Sequence, residues 1–143
     1  MSQTIPNFFS HIIFHSILAW PCNATIPWNY SPRAIASPYF PYASVQDVNC
    51  HVIIEAPIGK QVDMTFSTLF TKNDICVSPD TGIAVHDGNS SAAMMMSKLC
   101  SLNKFVDRKF KSSSGYLYIH FATRTSPMAF KAVFDYSKFC WFN

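Results

Sequence analysis

Short segments in which apolar and polar side chains alternate restrict the fold of this chain more than any other feature. At 116–121, aromatic and polar side chains alternate with apolar ones, which predicts a strand with one polar aromatic face and one apolar face. The same period of two recurs at 52–56, 62–66, 83–85 and 130–136. Turn residues separate these segments, so we expect six or more short strands in an antiparallel β-sandwich. The turn residues at 57–59 predict that 52–66 is a hairpin.

The composition fits one globular domain and excludes several other classes of protein. The chain has 143 residues, of which 13% are charged and 15% aromatic, so a charge-rich disordered tail is excluded. Glu55 is the only glutamate, and helix-favouring runs are absent, which argues against a helical bundle. The net charge is +3, and the basic residues are scattered except in the cluster Lys104, Arg108, Lys109 and Lys111. Nucleic acid is therefore not expected as the main ligand.

The first part of the chain predicts secretion. Residues 8–19 form an apolar run of the length of a secretory signal, too short to span a membrane, and we interpret 1–19 as a signal peptide. A buried N-terminal strand or helix is the alternative. Three glycosylation sequons, at Asn23, Asn29 and Asn89, also favour an extracellular, secreted location. No other segment is apolar enough for stable membrane insertion.

The five cysteines are better explained by disulfides than by a metal site. They lie at 22, 50, 76, 100 and 140, without a C-x-x-C pair and without His at the spacing of zinc ligands. Four cysteines allow three connectivities, and sequential pairing of Cys22 with Cys50 and of Cys76 with Cys100 would close loops of comparable size. Cys140 is left over. It is either a free thiol in the tail at 137–143 or a link to another chain, such as a disulfide-linked dimer.

The segment before the second cysteine predicts little regular structure. Residues 23–42 are rich in Pro, Ser, Asn and Tyr, with prolines at 27, 32, 38 and 41. Because proline removes a backbone donor, such a segment is limited to short edge strands or extended loop. We expect it to wrap around the sandwich.

Three consecutive methionines, Met94–Met96, lie in a segment that fits a helix or a strand. Methionine is flexible and polarizable, and it commonly fills irregular gaps in a core. We therefore expect these side chains to be core filler rather than a metal or partner surface.

The order of these features from Cys22 to Tyr136 resembles a CUB domain, an extracellular β-sandwich module. The resemblance rests on several pieces, each weak alone, arranged around four cysteines: Ile35-Ala-Ser-Pro-Tyr-Phe-Pro41, Ala56-Pro-Ile-Gly59, Met64-Thr-Phe66, Ile83-Ala-Val-His-Asp-Gly88, Tyr118-Ile-His-Phe121 and Phe130-Lys-Ala-Val-Phe-Asp-Tyr136. It implies a CUB domain at 22–136, built of two packed jelly-roll-like sheets. It also implies disulfides between Cys22 and Cys50 and between Cys76 and Cys100.

The resemblance also implies where a calcium ion would bind, and the residues at those places differ from the family pattern. Many CUB domains hold Ca²⁺ with three acidic residues at one end of the sandwich. Here the corresponding places are occupied by Lys72, with Asp74 nearby, by Asp80 and by Arg124. Calcium is held by several oxygen ligands, and two cations in their place would repel it. We expect no cofactor and the loss of the calcium site.

The chain lacks the sequence motifs of common enzymes. It contains no H-E-x-x-H, no G-x-S-x-G and no glycine-rich phosphate loop. His51, His86 and His120 can be combined with Asp87 and a serine into a catalytic set, but each lies within a strand pattern and no nucleophile elbow is present. We therefore expect no enzymatic activity.

Binding of another extracellular protein is the function that the resemblance favours. Arg124, in the loop at 123–128, is the contact residue we predict, because arginine makes bidentate and stacking contacts at interfaces. The alternative is a glycan or anionic polysaccharide, with Lys109 and Lys111 supplying charge and Tyr116 a stacking face. A third interpretation makes the chain an accessory part of a larger extracellular protease or lectin.

Overall fold

The structure, a computed structural model, describes residues 22–43, 47–72, 74–100, 108–124 and 126–139. The predicted signal peptide and Cys140 lie outside these residues. Within the described ranges the regular structure consists of strands. They are β1 (Ala24–Ile26), β2 (Ala34–Ala36), β3 (Val48–Glu55), β4 (Lys60–Thr71), β5 (Gly82–Asp87), β6 (Met94–Leu99), β7 (Arg108–Lys111), β8 (Tyr116–Thr123) and β9 (Met128–Lys138).

The strands form two sheets packed as a sandwich, which confirms the predicted fold class. One sheet has five strands in the order β1-β3-β8-β5-β6, and the other has four in the order β2-β9-β4-β7. Neighbouring strands are antiparallel except β1 and β3, which run parallel. No helix of the described residues has the length and apolar character needed to cross a membrane.

The predicted hairpin at 52–66 is wrong, because its two strands belong to different sheets. β3 pairs with β8 along all eight of its residues, whereas β4 pairs with β9 and β7. The turn that starts at Pro57, whose carbonyl accepts the Lys60 N–H at 3.0 Å, therefore carries the chain from one layer to the other. Alternation fixes which face of a strand is buried, but it does not select the partner strand.

Apolar side chains from both sheets fill the space between the layers. Phe66, Phe121 and Phe130 are among the largest fully buried side chains. The rings of Phe121 and Phe130 meet edge to face with centroids 5.0 Å apart, which joins the five-stranded sheet to the four-stranded one. Such an aromatic pair contributes about 0.5–1.5 kcal/mol beyond the apolar area that it buries.

The segment at 23–43 contributes one short strand to each sheet, as expected of a proline-rich wrapping segment. β1 pairs with β3 at the edge of the five-stranded sheet, and β2 pairs with β9 at the edge of the four-stranded sheet. The chain therefore passes from one layer to the other along the side of the sandwich.

Two disulfides, the expected number, brace the five-stranded sheet. Cys22 is bonded to Cys50 on β3, and Cys76 is bonded to Cys100 just after β6. The bonded cysteines are 28 and 24 residues apart. Loops of this size correspond to about 3 kcal/mol of stabilisation each in the chain-entropy model.

The methionine run forms β6, and the prediction that it fills the core is wrong for two of its three residues. Met94 is 70% exposed and Met95 is 51% exposed, and only Met96 packs against the core. β6 is the last strand of its sheet, and a strand there has a neighbour on one side only. Composition does not distinguish such an edge strand from a buried one.

Candidate binding groove on the five-stranded sheet

The outward face of the five-stranded sheet carries polar side chains in rows that cross the strands. The register places His51 of β3 opposite His120 of β8, and His120 opposite Ala84 of β5. Ala84 is in turn opposite Lys98 of β6. The inward-facing neighbours on β8, such as Phe121, are buried. The two faces predicted from alternation at 116–121 are therefore present.

Three small residues on neighbouring strands form a depression in this face. Gly82 and Ala84 follow each other at alternate positions of β5, and Ala122 of β8 lies opposite Gly82. Larger side chains and two loops surround them, so that a groove with a volume of about 760 Å³ opens over the sheet. Its other lining residues include Asp47, Asn49, Pro79, Asp80, His86, Met95, Lys98, His120 and Arg124.

The groove contains charges of both signs. Lys98 and Arg124 are its two permanent cations, and Asp47 and Asp80 are its two carboxylates. The ammonium group of Lys98 donates a hydrogen bond to the Pro79 carbonyl at 2.8 Å. This bond holds the Lys98 side chain against the loop that precedes β5. Two further N–H donors of an ammonium group can serve a bound ligand.

Each of the two histidines that line the groove has one ring nitrogen fixed by a hydrogen bond. The His120 Nε2–H donates to Asn49 Oδ1 at 2.7 Å, and the His86 Nδ1–H donates to the Ala93 carbonyl at 2.9 Å. These contacts select one neutral tautomer for each ring. The Nδ1 atom of His120 and the Nε2 atom of His86 are therefore the acceptor nitrogens of the neutral rings.

Tyr118 contacts two of the three histidines of this face, and the third, His120, lies opposite His51. Its ring stacks on His51 with centroids 5.4 Å apart and meets His86 edge to face at 5.3 Å. Tyr118 is 8% exposed, so it forms a rigid support beneath the imidazoles. The histidines thus form one cluster on adjacent strands.

The surroundings of His120 favour its neutral form. Burial lowers the pKa of His120 most, because an imidazolium ion loses hydration there. Repulsion from His51, from His86 and, more weakly, from Lys98 lowers this pKa further, whereas Asp80 raises it. His120 is therefore sensitive to any new negative charge placed in the groove.

These contacts do not assemble the catalytic set that the sequence suggested. His86 and His120 donate to a backbone carbonyl and to an amide oxygen rather than to a carboxylate. The Oδ1 atom of Asp87 accepts the N–H of Ser113 at 2.8 Å, so it caps a turn. These contacts fix the orientation of the two imidazoles, and neither contact joins a histidine to a serine.

The predicted binding residues fall on separate parts of the molecule. Arg124 lies just after β8 and lines the groove, whereas Tyr116 lies at the opposite end of the same strand. Lys109 and Lys111 are exposed on β7, in the other sheet. The two lysines and Tyr116 therefore lie in different sheets.

The carboxylates beside Lys111 also argue against an anion-binding patch on β7. The Lys111 ammonium group pairs with Asp63 at 2.8 Å, and the register places Asp63 opposite Asp135. Asp135 is itself paired with Arg33. Two carboxylates thus lie between Lys111 and Arg33 on this outer face.

The residues at the calcium positions of the family do not fit the ion. Lys72 is exposed, and Asp80 shares the groove with Arg124. The Oδ1 atom of Asp74 accepts the Cys76 N–H at 2.8 Å. Ca²⁺ is bound by several oxygen ligands, which this set of side chains lacks. The expected loss of the calcium site stays a prediction.

One set of potential metal ligands occurs within the described part of the chain. Asp74 lies close to Cys76 and Cys100, with ligand atoms within 4.8 Å of one another. The two sulfur atoms are bonded to each other, so they are not available as thiolates. A single carboxylate remains, which is too few ligands for a structural metal site.

All three asparagines of the glycosylation sequons are exposed. Asn29 and Asn89 lie in turns, outside the strands. Asn23 precedes β1, and its Oδ1 atom accepts the His51 N–H at 3.3 Å. Modification would occur at the other atom of this amide, Nδ2. Exposure makes all three sites accessible, and their occupancy stays a prediction.

Comparison with known proteins identifies the family. A sequence profile described as the CUB domain matches residues 22–134, which is well over half of the chain. This chain belongs to the CUB domain family. Human cubilin is 33% identical over 76 residues, which cover 53% of this chain and 2% of cubilin. Rat cubilin is 30% identical over 103 residues, covering 71% of this chain and 3% of cubilin. The CUB domain described here thus spans a few per cent of the length of these curated relatives.

Solved CUB structures share the fold at low sequence identity. The CUB1-EGF-CUB2 domains of rat MASP-1 superpose with a TM-score of 0.63 at 15% identity, covering 79% of this chain and 42% of that one. The MASP-1 CUB2 domain bound to Ca²⁺ gives a TM-score of 0.58 at 17% identity, covering 80% of this chain and 98% of that one. The extracellular region of zebrafish Gpr126/Adgrg6 gives 0.57 at 15% identity, covering 82% and 15%.

Of the groove residues, sequence reasoning named Arg124 as a contact and Asp80, His86 and His120 in other roles, but it did not predict that they line one groove. The missed residues include Gly82, Ala84, Lys98 and Asn49. The sequence did contain a signal for a recessed surface. Ala84 lies between the apolar residues of the predicted strand at 83–85, and Gly82 occupies the alternate position just before it. Small residues at outward positions indicate that the surface is recessed there.

Proposed function

We propose that this CUB domain is a secreted, non-enzymatic module that binds another extracellular protein through the groove on its five-stranded sheet. The observation that carries the proposal is the groove itself, in which Lys98 and Arg124 face the same space as Asp47 and Asp80. Mixed charges around a recessed floor are suited to protein side chains, because charge pairing across an interface sets its specificity.

The family context supports an extracellular partner. CUB domains occur beside an EGF domain in rat MASP-1, and the fold also matches part of the extracellular region of zebrafish Gpr126/Adgrg6. Two disulfides are also typical of an oxidising compartment.

Expression in eukaryotic cells tests whether the protein is secreted. We expect the mature protein in the medium, with its first residues removed and with sugar on the exposed sequons. Intracellular protein with free thiols would contradict secretion.

A protein partner is favoured over an anionic polysaccharide by the distribution of charge. Lys111 is engaged by Asp63, and the groove cations are accompanied by two carboxylates. A sulfated chain would be repelled by these carboxylates, whereas a protein segment can present both signs of charge.

A matched pair of variants tests the groove. Ala84→Leu fills the depression with apolar atoms, and Ala92→Leu makes the same chemical change at an exposed turn residue that does not line the groove. Both proteins should be screened as labelled baits against an array of purified ectodomains. We expect saturable binding of the wild type and of Ala92→Leu, and its loss in Ala84→Leu. Equal binding by the two variants would contradict the proposal.

Heparinase treatment of the array separates the two classes of partner. Binding to a protein surface should survive removal of heparan chains. Binding that disappears with the chains would identify a polysaccharide instead.

Non-reducing electrophoresis of the same preparations tests the disulfide-linked dimer proposed for Cys140.

A further inference from the structure

We propose that the groove holds a carboxylate-bearing segment of its partner between His120 and Lys98, and that it holds this segment more tightly in mildly acidic solution. The inference rests on the proposed function and names the chemistry of its partner. It follows from the position of Ala84, the charge balance of the groove and the tautomers of the histidines.

Ala84 is the centre of the candidate subsite. Its cross-strand neighbours are His120 on β8 and Lys98 on β6, so a basic side chain lies on each side of it. Neighbouring strands are about 4.8 Å apart, so the backbones of His120 and Lys98 are separated by about two strand spacings, with the small Ala84 side chain between them. An ionised carboxylate accepts hydrogen bonds at both oxygens, so it can bridge two donors on opposite sides.

His120 can become a second donor on this face. Its Nε2–H already donates to Asn49 Oδ1, which fixes the orientation of the ring. Protonation of His120 adds an N–H at Nδ1 without breaking that contact. Acidification therefore adds one donor and one positive charge beside Ala84.

The charge balance of the groove becomes positive when His120 is protonated. The cations Lys98 and Arg124 are matched in number by Asp47 and Asp80. Protonation of His120 adds one positive charge to this balanced set. An acidic segment is then attracted and a basic segment is repelled.

His120 couples ligand binding to proton uptake. In the free protein its charged form is disfavoured by burial, by His51, by His86 and by Lys98, and only Asp80 acts in the opposite direction. A carboxylate bound beside the ring would supply the missing negative charge. By thermodynamic linkage, a ligand that favours the protonated ring must bind more tightly as the solution becomes acidic.

The probe is an acetylated, amidated tetraglutamate peptide that carries a fluorophore, measured by fluorescence anisotropy at about pH 7.5 and about pH 5.5. Glutamate stays largely ionised at both values, so a change in affinity reports the protein. We expect about tenfold tighter binding at the lower pH, the effect of roughly one added charge pair. Tetraglutamine and tetralysine peptides of the same form serve as controls, and neither should bind comparably.

Two sets of variants locate the effect. Lys98→Gln and Lys109→Gln each remove one positive charge, one in the groove and one on the other sheet, and only Lys98→Gln should weaken binding. His120→Gln should leave weak binding at about pH 7.5 and abolish the tightening at about pH 5.5. Binding that is independent of pH, equal loss in the two lysine variants, or preference for tetralysine would overturn the inference.

The ectodomain screen separates failure of this inference from failure of the proposed function. If Ala84→Leu abolishes capture of an ectodomain but tetraglutamate does not compete for it at either pH, the groove is the interface and the carboxylate assignment is wrong. If Ala84→Leu captures the ectodomain as well as Ala92→Leu does, the groove is not the interface.

Discussion

Gly82 lies so close to Cys76 that a Cβ atom added to Gly82 would be 2.6 Å from the Cys76 sulfur. The backbone of Gly82 has φ +117°, a conformation that residues with a side chain rarely adopt. Gly82 also forms part of the groove floor. The disulfide between Cys76 and Cys100 therefore packs directly against the groove, and the absence of a side chain at residue 82 permits both contacts.

Gly82→Ala should destabilise the domain by about 3 kcal/mol or more, because the new methyl group meets the disulfide as well as imposing backbone strain. Gly59→Ala is the matched control. Gly59 has φ +85°, and a Cβ atom there would meet nothing within 4 Å, so only the backbone cost of about 1–2 kcal/mol is expected. Urea unfolding measures both free energies. Equal losses in the two variants would show that the contact with Cys76 is relieved without cost.

The lowered pKa of His120 predicts that acid destabilises the domain. Burial and the neighbouring histidines keep this ring neutral in the folded state, whereas the unfolded chain binds a proton near the ordinary histidine pKa of about 6.5. The free energy of unfolding therefore begins to decrease as the pH falls through about 6.5. The decrease from this group is complete once the pH is below the folded-state pKa of His120. His120→Gln should have a melting temperature that falls less between about pH 7.5 and about pH 5.5 than that of the wild type. His51→Gln should reduce part of the effect, since His51 is the largest charged contribution to the lowering. A wild-type melting temperature that rises in acid would contradict the prediction.

The sequence predicted the buried faces of the strands and the positions of the turns better than it predicted which strands are paired. Alternation at 116–121 correctly assigned the buried and outward sides of β8, and the prolines at 27–41 correctly limited that segment to short edge strands. The row that contains His51, His120 and Lys98 depends on strand pairings between distant parts of the chain. Pairing is set by the packing of the two layers, and a shift of one residue would turn every side chain of a strand to the other face. The groove was therefore not predictable from local pattern, although the small residues on its floor were visible.

Heparin chromatography should show little retention of this domain. Lys109 is exposed on β7, but its neighbour Lys111 is paired with Asp63, and Asp135 lies next to that pair in the sheet. A lysine beside two carboxylates gives a weak attraction for a polyanion, and salt screens it within about 10 Å at moderate ionic strength. The variant with Lys109→Gln and Lys111→Gln should elute at nearly the same salt concentration as the wild type. Strong retention that this variant loses would restore the polysaccharide hypothesis.

Calcium should not stabilise the wild-type domain, and restored acidic residues should create the response. Lys72 and Arg124 occupy places where the family pattern implies carboxylates, and each cation repels a divalent ion. We expect equal melting temperatures for the wild type in millimolar calcium chloride and in chelator. The double variant Lys72→Glu, Arg124→Asp places carboxylates where the family pattern implies them. Its melting temperature should therefore rise with calcium, because a ligand that binds only the folded state stabilises it. Magnesium chloride at the same concentration is the control, because Mg²⁺ carries the same charge as Ca²⁺ but prefers a tighter octahedral site. Calcium-dependent stabilisation of the wild type would show that Asp74 and Asp80 retain a functional site despite the two cations.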